Sequence, residues 1–471
     1  MNDLALLTAT ELLDGYRLGE ISPVEATRAA LDAIEEGNGS VNAFVSVHAE
    51  EALADAAESE KRWAAGSPLG PGDGVPTSIK DIFYTRGWPT LRGTELIDED
   101  RPWNEDAPCV ARLRETGAVL LGKTTTPEFA WKGVTDSLRH GSTGNPCAPG
   151  LTSGGSSGGS AAAVGMGMGP WSVGTDGGGS VRIPAAFTGT VAIKPTYGLV
   201  PMFPASPFGT LAHAGPMTRT VADSALLLDV ITGFDARDWS ALPTPQGSFM
   251  EGLHDGVEGL RIAFSPTLGF GRNDPEIEAL VREAAAAFEG LGAQVEEVDP
   301  GIEDPVEAFH VLWFAGAAKV LEPYGAAAFE RIDPGLRRSI EEQGVFSASD
   351  FLDATAVRMD LGVRMGLFHE TYDLLLTPTL PIPAFSRGRD VPEDWSSEYW
   401  TSWTPYTYPF NMTQQPAMSV PCGFTSAGLP AGLQIIGPRH SDRLVLRAAQ
   451  AYESAADWRS ALPAPVRAAA H

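Results

Sequence analysis

The chain contains few cysteines, few basic side chains and no long apolar run. Its three cysteines, Cys109, Cys147 and Cys422, are widely separated and form no Cys-x-x-Cys pair, which argues against a zinc site or a disulfide framework. No stretch of 18 apolar residues is present, so no membrane-spanning helix is expected. The 33 Lys and Arg against 60 Asp and Glu give a formal net charge of −27, which disfavours nucleic acid and anionic membranes as partners.

The beginning of the chain also lacks a targeting pattern. Met1-Asn2-Asp3-Leu4 has neither the basic region nor the apolar segment of a secretory signal, so we expect a cytoplasmic protein. The chain has 471 residues, of which 43% are hydrophobic, and this is enough for a substantial core.

Short apolar runs alternate with helical patterns along most of the sequence. Residues 1–65 are typical of helices, with the clearest start at Ser22, Pro23 and Glu25, in the N-cap, N1 and N3 positions. A strand–helix–strand pattern covers residues 260–298. The alternation predicts an α/β fold in which helices cover a large sheet.

Lysine is rare, and one of the six lysines lies in an apolar setting. Lys80 follows Val75-Pro76-Thr77-Ser78-Ile79, a strand-like run that would carry it into the interior. To act as a base near neutral pH, its pKa must fall by roughly 3 units from about 10.4, which burial and hydrogen bonds can bring about. Asp81 would oppose that shift, but adjacent residues of a strand point to opposite faces.

Two segments rich in glycine and serine follow, at 154–160 and 174–184. Apolar core-type segments flank the first, which argues against a flexible linker. Nucleophilic hydrolysis does not require histidine: a lysine that has lost its proton can act as the base, one serine can relay the proton, and a second serine can attack the substrate. The backbone N–H groups of Gly177, Gly178, Gly179 and Ser180 are candidates to bind the oxyanion. Asp176 and Arg182 are predicted to form an ion pair that holds this loop.

Two further motifs suggest other functions. Residues 117–124 match GxxxxGK[ST], the phosphate-binding P-loop of nucleotide-binding proteins. Residues 154–158 match GxSxG, the elbow that carries the nucleophile in α/β-hydrolase esterases, with Ser156 in that role. Both interpretations leave Lys80 and the turn that ends at Ser180 unexplained, and the Ala-Val-Leu-Leu run at 118–121 favours a buried strand. We keep both as alternatives.

At these motifs the chain resembles the amidase signature family, whose members hydrolyse amides through a Ser–Ser–Lys triad. The family patterns GVPxxxKD, GGSSGGS, GTDxGGSxRIPA and KPTxG are matched at 74–81, 154–160, 174–185 and 194–198. The resemblance implies that Lys80 is the base, that Ser156 is the bridging serine, with a cis peptide bond, and that Ser180 is the nucleophile. No match to the glutamine-binding residues of the glutamyl-tRNA amidotransferase subunit stands out.

The resemblance also implies the fold and the reaction. We expect one amidase domain over 1–471, α/β in class, with a large mixed sheet between helical layers. Its parts are the N-terminal helices (1–65), the signature core (66–240), a variable region (241–360) and the C-terminal part of the core (361–471). The expected reaction is hydrolysis of a carboxylic amide through an acyl-enzyme, with aryl amides, esters and carbamates as candidate substrates and no metal or organic cofactor.

The substrate pocket and the assembly are the least defined expectations. Trp131, Phe203, Phe208 and Trp400 are candidate pocket residues, and their aromatic character suggests a neutral, partly aromatic small-molecule amide. Residues 387–405 are either a substrate lid or a packed irregular loop. A homodimer is a candidate assembly.

Overall fold

A computed structural model describes residues 3–456 and 458 of the chain. The remaining residues of the expected domain, 1–2, 457 and 459–471, lie outside the described part. The helices are α1 (Ala9–Leu18), α2 (Pro23–Val41), α3 (Ala49–Ala64), α4 (Pro108–Glu115), α5 (Gly158–Gly165), α6 (Arg182–Thr188), α7 (Val221–Ile231), α8 (Pro275–Gly290), α9 (Val306–Leu321), α10 (Pro334–Gln343), α11 (Ala348–Phe368), α12 (Pro409–Met412) and α13 (Asp442–Ala455).

The strands form one large sheet and two small ribbons. They are β1 (Phe44–Val47), β2 (Pro76–Lys80), β3 (Val119–Thr124), β4 (Asp136–Ser137), β5 (Gly141–Ser142), β6 (Gly144–Asn145), β7 (Ala148–Thr152), β8 (Trp171–Asp176), β9 (Val191–Lys194), β10 (His213–Thr218), β11 (Arg261–Phe264), β12 (Gln294–Glu297), β13 (Leu374–Pro378), β14 (Ala417–Phe424) and β15 (Pro430–Ile436). Within the described residues the large sheet has 11 strands, in the order β1-β3-β2-β8-β10-β9-β14-β15-β13-β11-β12.

The large sheet is mixed. β2 pairs in parallel with β3 and β8, and β11 pairs in parallel with β12 and β13, whereas β8, β10, β9, β14 and β15 pair antiparallel in turn. One apolar cluster joins the sheet to α1, α4, α7, α8 and α13, and another joins it to α6, α9, α10 and α11. The expected α/β class, with a sheet between helical layers, is confirmed.

Most helical expectations hold in the N-terminal part. Helix α2 begins as the sequence predicts: the Ser22 hydroxyl accepts from the Glu25 N–H, the Glu25 carboxylate accepts from the Ser22 N–H, and Pro23 opens the first turn. The expectation of helices for residues 1–65 is incomplete, because β1 lies between α2 and α3 and pairs with β3. Its four residues are too few to give a clear alternating pattern.

The P-loop interpretation is wrong. Three of the four residues between its glycines, 119–121, belong to the fully buried strand β3, so their amides take part in the sheet rather than wrap around a phosphate. Lys123 is buried as well. It donates to the Phe83 carbonyl at 2.7 Å and to Thr90 Oγ1 at 2.8 Å, and it lies 3.5 Å from the Asp81 carboxylate. Asp81 therefore faces Lys123, and not Lys80, as the alternation of strand residues predicts.

Candidate active site

Lys80 is the last residue of β2, and its side chain is fully buried. Its Nζ lies 2.7 Å from Ser156 Oγ, 2.9 Å from Ser157 Oγ and 2.8 Å from Thr175 Oγ1. Burial lowers the pKa of Lys80 well below its ordinary value of 10.5, and the negative charge of Asp176 opposes this only in part. A lysine with a strongly lowered pKa can accept a proton near neutral pH.

The two candidate serines come from the two glycine-rich segments. Ser156 lies just before α5, and the Gly155–Ser156 peptide bond is cis, as the family resemblance implies. A Cβ at Gly155 would lie 2.4 Å from the carbonyl carbon of Val134, so the glycine here allows two backbones to pack closely. This close packing, with every residue from 153 to 160 buried, excludes a flexible linker.

Ser180 lies in the turn between β8 and α6. Ser180 and Ser156 both line one cavity, which encloses about 60 Å³. Within the described residues no hydrogen bond joins the two hydroxyls, so the direct contact in this group is the one between Lys80 and Ser156. The Ser157 N–H donates to the Ser180 carbonyl at 3.1 Å, which ties the two glycine-rich segments together.

The predicted ion pair between Asp176 and Arg182 is confirmed, with 2.9 Å between Oδ2 and Nε and both side chains fully buried. Arg182 also donates to Gln434 Oε1 at 2.7 Å and to Asn411 Oδ1 at 2.6 Å. Burial alone would raise the pKa of Asp176, but the charge and hydrogen bonds of Arg182 outweigh it and hold that pKa below its ordinary value. The pair connects β8, α6, α12 and β15 around the turn that carries Ser180.

The four candidate oxyanion donors are not equivalent. The Gly179 N–H donates to Asp176 Oδ1 at 2.7 Å and is therefore occupied. Gly177 and Ser180 line the cavity. Their backbone N–H groups donate no hydrogen bond to any residue in the described part of the chain. Gly178 lies behind the turn: a Cβ there would meet Trp400 at 2.7 Å. Gly177 and Ser180 therefore remain the leading candidates for oxyanion donors.

The predicted pocket residues divide into two pairs. Phe203 and Phe208 line the cavity that holds Ser156 and Ser180. Trp131 and Trp400 do not line it: both are buried, Trp131 accepts a hydrogen bond through its carbonyl from Trp313, and Trp400 packs behind Gly178. Composition indicates an aromatic environment, but it does not tell which aromatic side chain faces the cavity.

Residues 387–405 form a packed irregular segment. Trp403 is fully buried and donates to the Asp390 carbonyl at 3.0 Å, and the Asp390 carboxylate lies 2.7 Å from Lys132 Nζ. None of these residues lines the cavity with Ser156 and Ser180. The packing favours the irregular loop over the lid.

The histidines do not support the esterase alternative. His310 is bonded to Thr401 Oγ1 at 2.7 Å and His369 to the Gln415 side chain at 2.8 Å. Across the described residues no histidine is hydrogen-bonded to Ser156, whose partner is Lys80. Sequence reasoning missed Ser157 and Thr175 as neighbours of Lys80, although both lie inside the motifs that drew attention to Ser156 and Ser180.

Two serines line one largely apolar cavity, and a buried lysine contacts one of them, which is the arrangement expected of a hydrolase that works without histidine. The family model described as Amidase matches residues 25–446, and the chain belongs to the amidase signature family. It is an amidohydrolase that acts on amide C–N bonds.

Individual relatives cover nearly the whole chain. An acylamidase of Rhodococcus erythropolis is 39% identical over 473 residues, with 98% of each chain covered. A glutamyl-tRNA(Gln) amidotransferase subunit of Geobacter sp. (strain M21) is 36% identical, over 96% of this chain and 98% of its own. The crystal structure of a bacterial aryl acylamidase has a TM-score of 0.90 at 33% identity, with 98% of both chains covered. Within the described residues no helix of the structure is long and apolar enough to cross a membrane.

Proposed function

We propose that this amidase works through an acyl-enzyme on Ser180, with Ser156 and Lys80 as its proton relay. The observation that carries the proposal is the 2.7 Å contact between Lys80 Nζ and Ser156 Oγ, at a lysine whose pKa is lowered by burial. Because Ser180 lines the same cavity as Ser156, it is proposed as the next hydroxyl of the relay.

The steps follow from these positions. Neutral Lys80 takes the proton of Ser156, which takes that of Ser180, and Ser180 Oγ attacks the amide carbonyl. The N–H groups of Gly177 and Ser180 stabilise the oxyanion. The relay then protonates the departing nitrogen, and water cleaves the resulting ester by the same path. Esters and carbamates pass through the same kind of tetrahedral intermediate and are expected to react as well.

The substrate class is proposed from the relatives and the cavity together. The similarity to an acylamidase and to an aryl acylamidase supports N-acyl amides, including anilides. The aromatic walls formed by Phe203, Phe208 and Trp313 fit a ring beside the scissile bond.

Active-site labelling tests the nucleophile. A fluorophosphonate should label a peptide that contains Ser180, and Ser180→Ala should abolish both labelling and anilide hydrolysis. Ser426→Ala, at an exposed serine, is the matched control and should behave like the wild type. Labelling confined to Ser156 would favour the esterase alternative.

The relay is tested by comparing leaving groups. Lys80→Ala should lose anilide hydrolysis more completely than hydrolysis of the matched phenyl ester, because an amide nitrogen must be protonated as it leaves whereas a phenoxide needs less help. The measurement is kcat/KM for both substrates after circular dichroism has shown that the variant is folded. Undiminished anilide hydrolysis in folded Lys80→Ala would disprove the triad.

We also propose that the assembly is a homodimer formed through α11. A strip of this helix carries no charged residue and is exposed in the single chain; its members are Leu352, Ala356, Met359, Val363 and Leu367. Gly362 and Gly366 lie beside it with nothing within 4 Å of an added Cβ, so another helix can approach closely.

A further inference from the structure

One charged side chain, that of Arg92, stands among the described residues that line the active-site cavity. The other lining side chains are apolar, aromatic or small, apart from the hydroxyls of Ser156, Thr175, Ser180 and Ser206. A cation in the wall of a largely apolar cavity interacts more strongly with a charged substrate than a cation on the open surface does. The surrounding apolar groups keep water away and so weaken the screening of its charge.

Arg92 has no anionic partner within the part of the chain that the structure describes. Among the described residues its guanidinium forms no ion pair within 4.0 Å, and its Nε is buried with no hydrogen-bond acceptor. The ring of Tyr84 lies nearby: its centroid is 5.4 Å from the guanidinium carbon of Arg92 and 5.3 Å from that of Arg101. Although the chain has 60 acidic residues, none of those that the structure describes pairs with this cation, which lines the same cavity as the candidate nucleophile Ser180.

The backbone holds Arg92 in this place. Its φ of 53° lies in the left-handed region, which a residue other than glycine adopts at a cost. The Arg92 carbonyl accepts from the Phe129 N–H at 2.8 Å, and the N–H of the preceding Leu91 donates to the Asp81 carboxylate. The side chain thus starts from a fixed point at the cavity wall.

We infer that the preferred substrates are amides that carry a carboxylate away from the scissile bond, and that Arg92 binds this carboxylate. The inference rests on the proposed function of the same cavity. A guanidinium presents a planar pair of N–H donors that matches a carboxylate, and a partly buried donor without an acceptor is unfavourable. The inference replaces the neutral substrate expected from the aromatic residues alone with an anionic, partly aromatic amide.

The test uses pairs of anilides that differ only in charge. Butyranilide is compared with succinanilic acid, which places the carboxylate on the acyl side, and acetanilide with 4-acetamidobenzoate, which places it on the amine side. In the wild type, kcat/KM for the anionic member of at least one pair should be about 10- to 100-fold higher, the range expected for a charge-assisted hydrogen bond. Arg92→Met should remove the preference and leave the neutral substrates within about 3-fold.

Two variants sharpen the result. Arg92→Lys keeps the charge but not the paired donors, so it should retain part of the preference. Arg101→Met removes an equal charge next to the same Tyr84 ring but outside the cavity lining, and it should change the ratio far less. A wild type that does not favour the anionic member of either pair, or an Arg92→Met variant that slows neutral and anionic substrates equally, would overturn the inference. Neutral anilide activity that persists in Ser180→Ala would instead disprove the proposed function.

Discussion

At the scale of single residues, the unusual property of the candidate site is a buried lysine that forms no ion pair with any carboxylate in the described part of the chain. Lys80 contacts three hydroxyl groups, which can accept from or donate to its nitrogen and therefore do not hold it in the charged form. Lys132 shows the opposite case: burial would lower its pKa, but Asp390, Asp136 and Asp333 raise it above the ordinary value. The partners of a buried lysine decide whether it becomes a base or a fixed cation.

The pH dependence of the reaction should report the pKa of Lys80. Because the base is active when neutral, kcat/KM for an anilide should rise with pH and reach a plateau. Burial lowers the pKa of Lys80 well below 10.5, so the rise should be centred well below that pH. The measurement is kcat/KM from about pH 5 to about pH 10.5, with unfolding followed at each pH as a control. A rise centred near the ordinary lysine value of 10.5 would show that Lys80 is not held in this way.

Lys123 provides a test of a structural lysine. Burial lowers its pKa to about 8, although Asp81 opposes the shift. Lys123→Met would leave the Asp81 carboxylate buried without its cation, and we expect a loss of about 3–5 kcal/mol in the free energy of unfolding. Because Lys123 is not among the described residues that line the candidate active-site cavity, kcat/KM of the folded variant should stay within about 3-fold of the wild type.

The control for Lys123 is the double variant Asp81→Asn/Lys123→Met, which removes both charges and should regain part of the lost stability. Magnesium-dependent ATP binding by the wild type that disappears in Lys123→Met would contradict the structural role.

At the scale of secondary structure, the sequence predicts those strands that contain a run of consecutive apolar residues. Residues 119–121 of β3, 191–193 of β9 and 374–376 of β13 are short apolar runs, which is the pattern of strands buried on both faces of a sheet. β10 is not recognisable, because it contains Gly215 and Pro216 and its place in the sheet depends on pairing with β8, more than 30 residues away in the chain. Local patterns cannot reveal such pairing.

The sequence predicts the residues of the candidate site only where they lie in recognisable motifs. Lys80, Ser156 and Ser180 lie in motifs with specific spacing, so they could be named from the sequence. Arg92 follows no motif, and it reaches the cavity only because the fold brings residues 82–92 next to residues 202–208. The orientation of Trp400 away from the cavity likewise depends on packing that composition does not encode.

The turn between β8 and α6 should depend on its buried ion pair. Arg182→Met would leave Asp176 buried without its main counter-charge, and we expect the free energy of unfolding to fall by about 3–5 kcal/mol. Anilide hydrolysis should fall with it, because the turn carries the proposed nucleophile Ser180 and the proposed oxyanion donors. Urea unfolding and kcat/KM measure the two effects. Asp176→Asn/Arg182→Met should recover part of the stability, and an unchanged stability in the single variant would show that the pair does not hold the turn.

At the scale of the whole molecule, a net charge of −27 opposes association of two copies unless they meet at an uncharged surface. The strip on α11 is such a surface. Met359 and Val363 at its centre are 67% and 59% exposed, which is unusual for large apolar side chains that follow one another around a helix. Two copies of α11 would bury this strip against itself, as a two-fold interface requires.

Met359→Glu should therefore give a monomer of about the chain mass of 49.7 kDa, whereas the wild type should have twice that mass in size-exclusion chromatography with light scattering. A carboxylate at the centre of a self-paired strip would face its own copy across the interface, and the repulsion and the loss of its hydration both oppose pairing. Val357→Glu is the matched control, because Val357 is exposed on the same helix but on a different face, and it should remain dimeric. Activity retained in Met359→Glu would show that the monomer is folded. A wild type that is monomeric at all concentrations would refute the interface, and flotation of that monomer with phosphatidylcholine vesicles would assign the strip to a membrane surface instead.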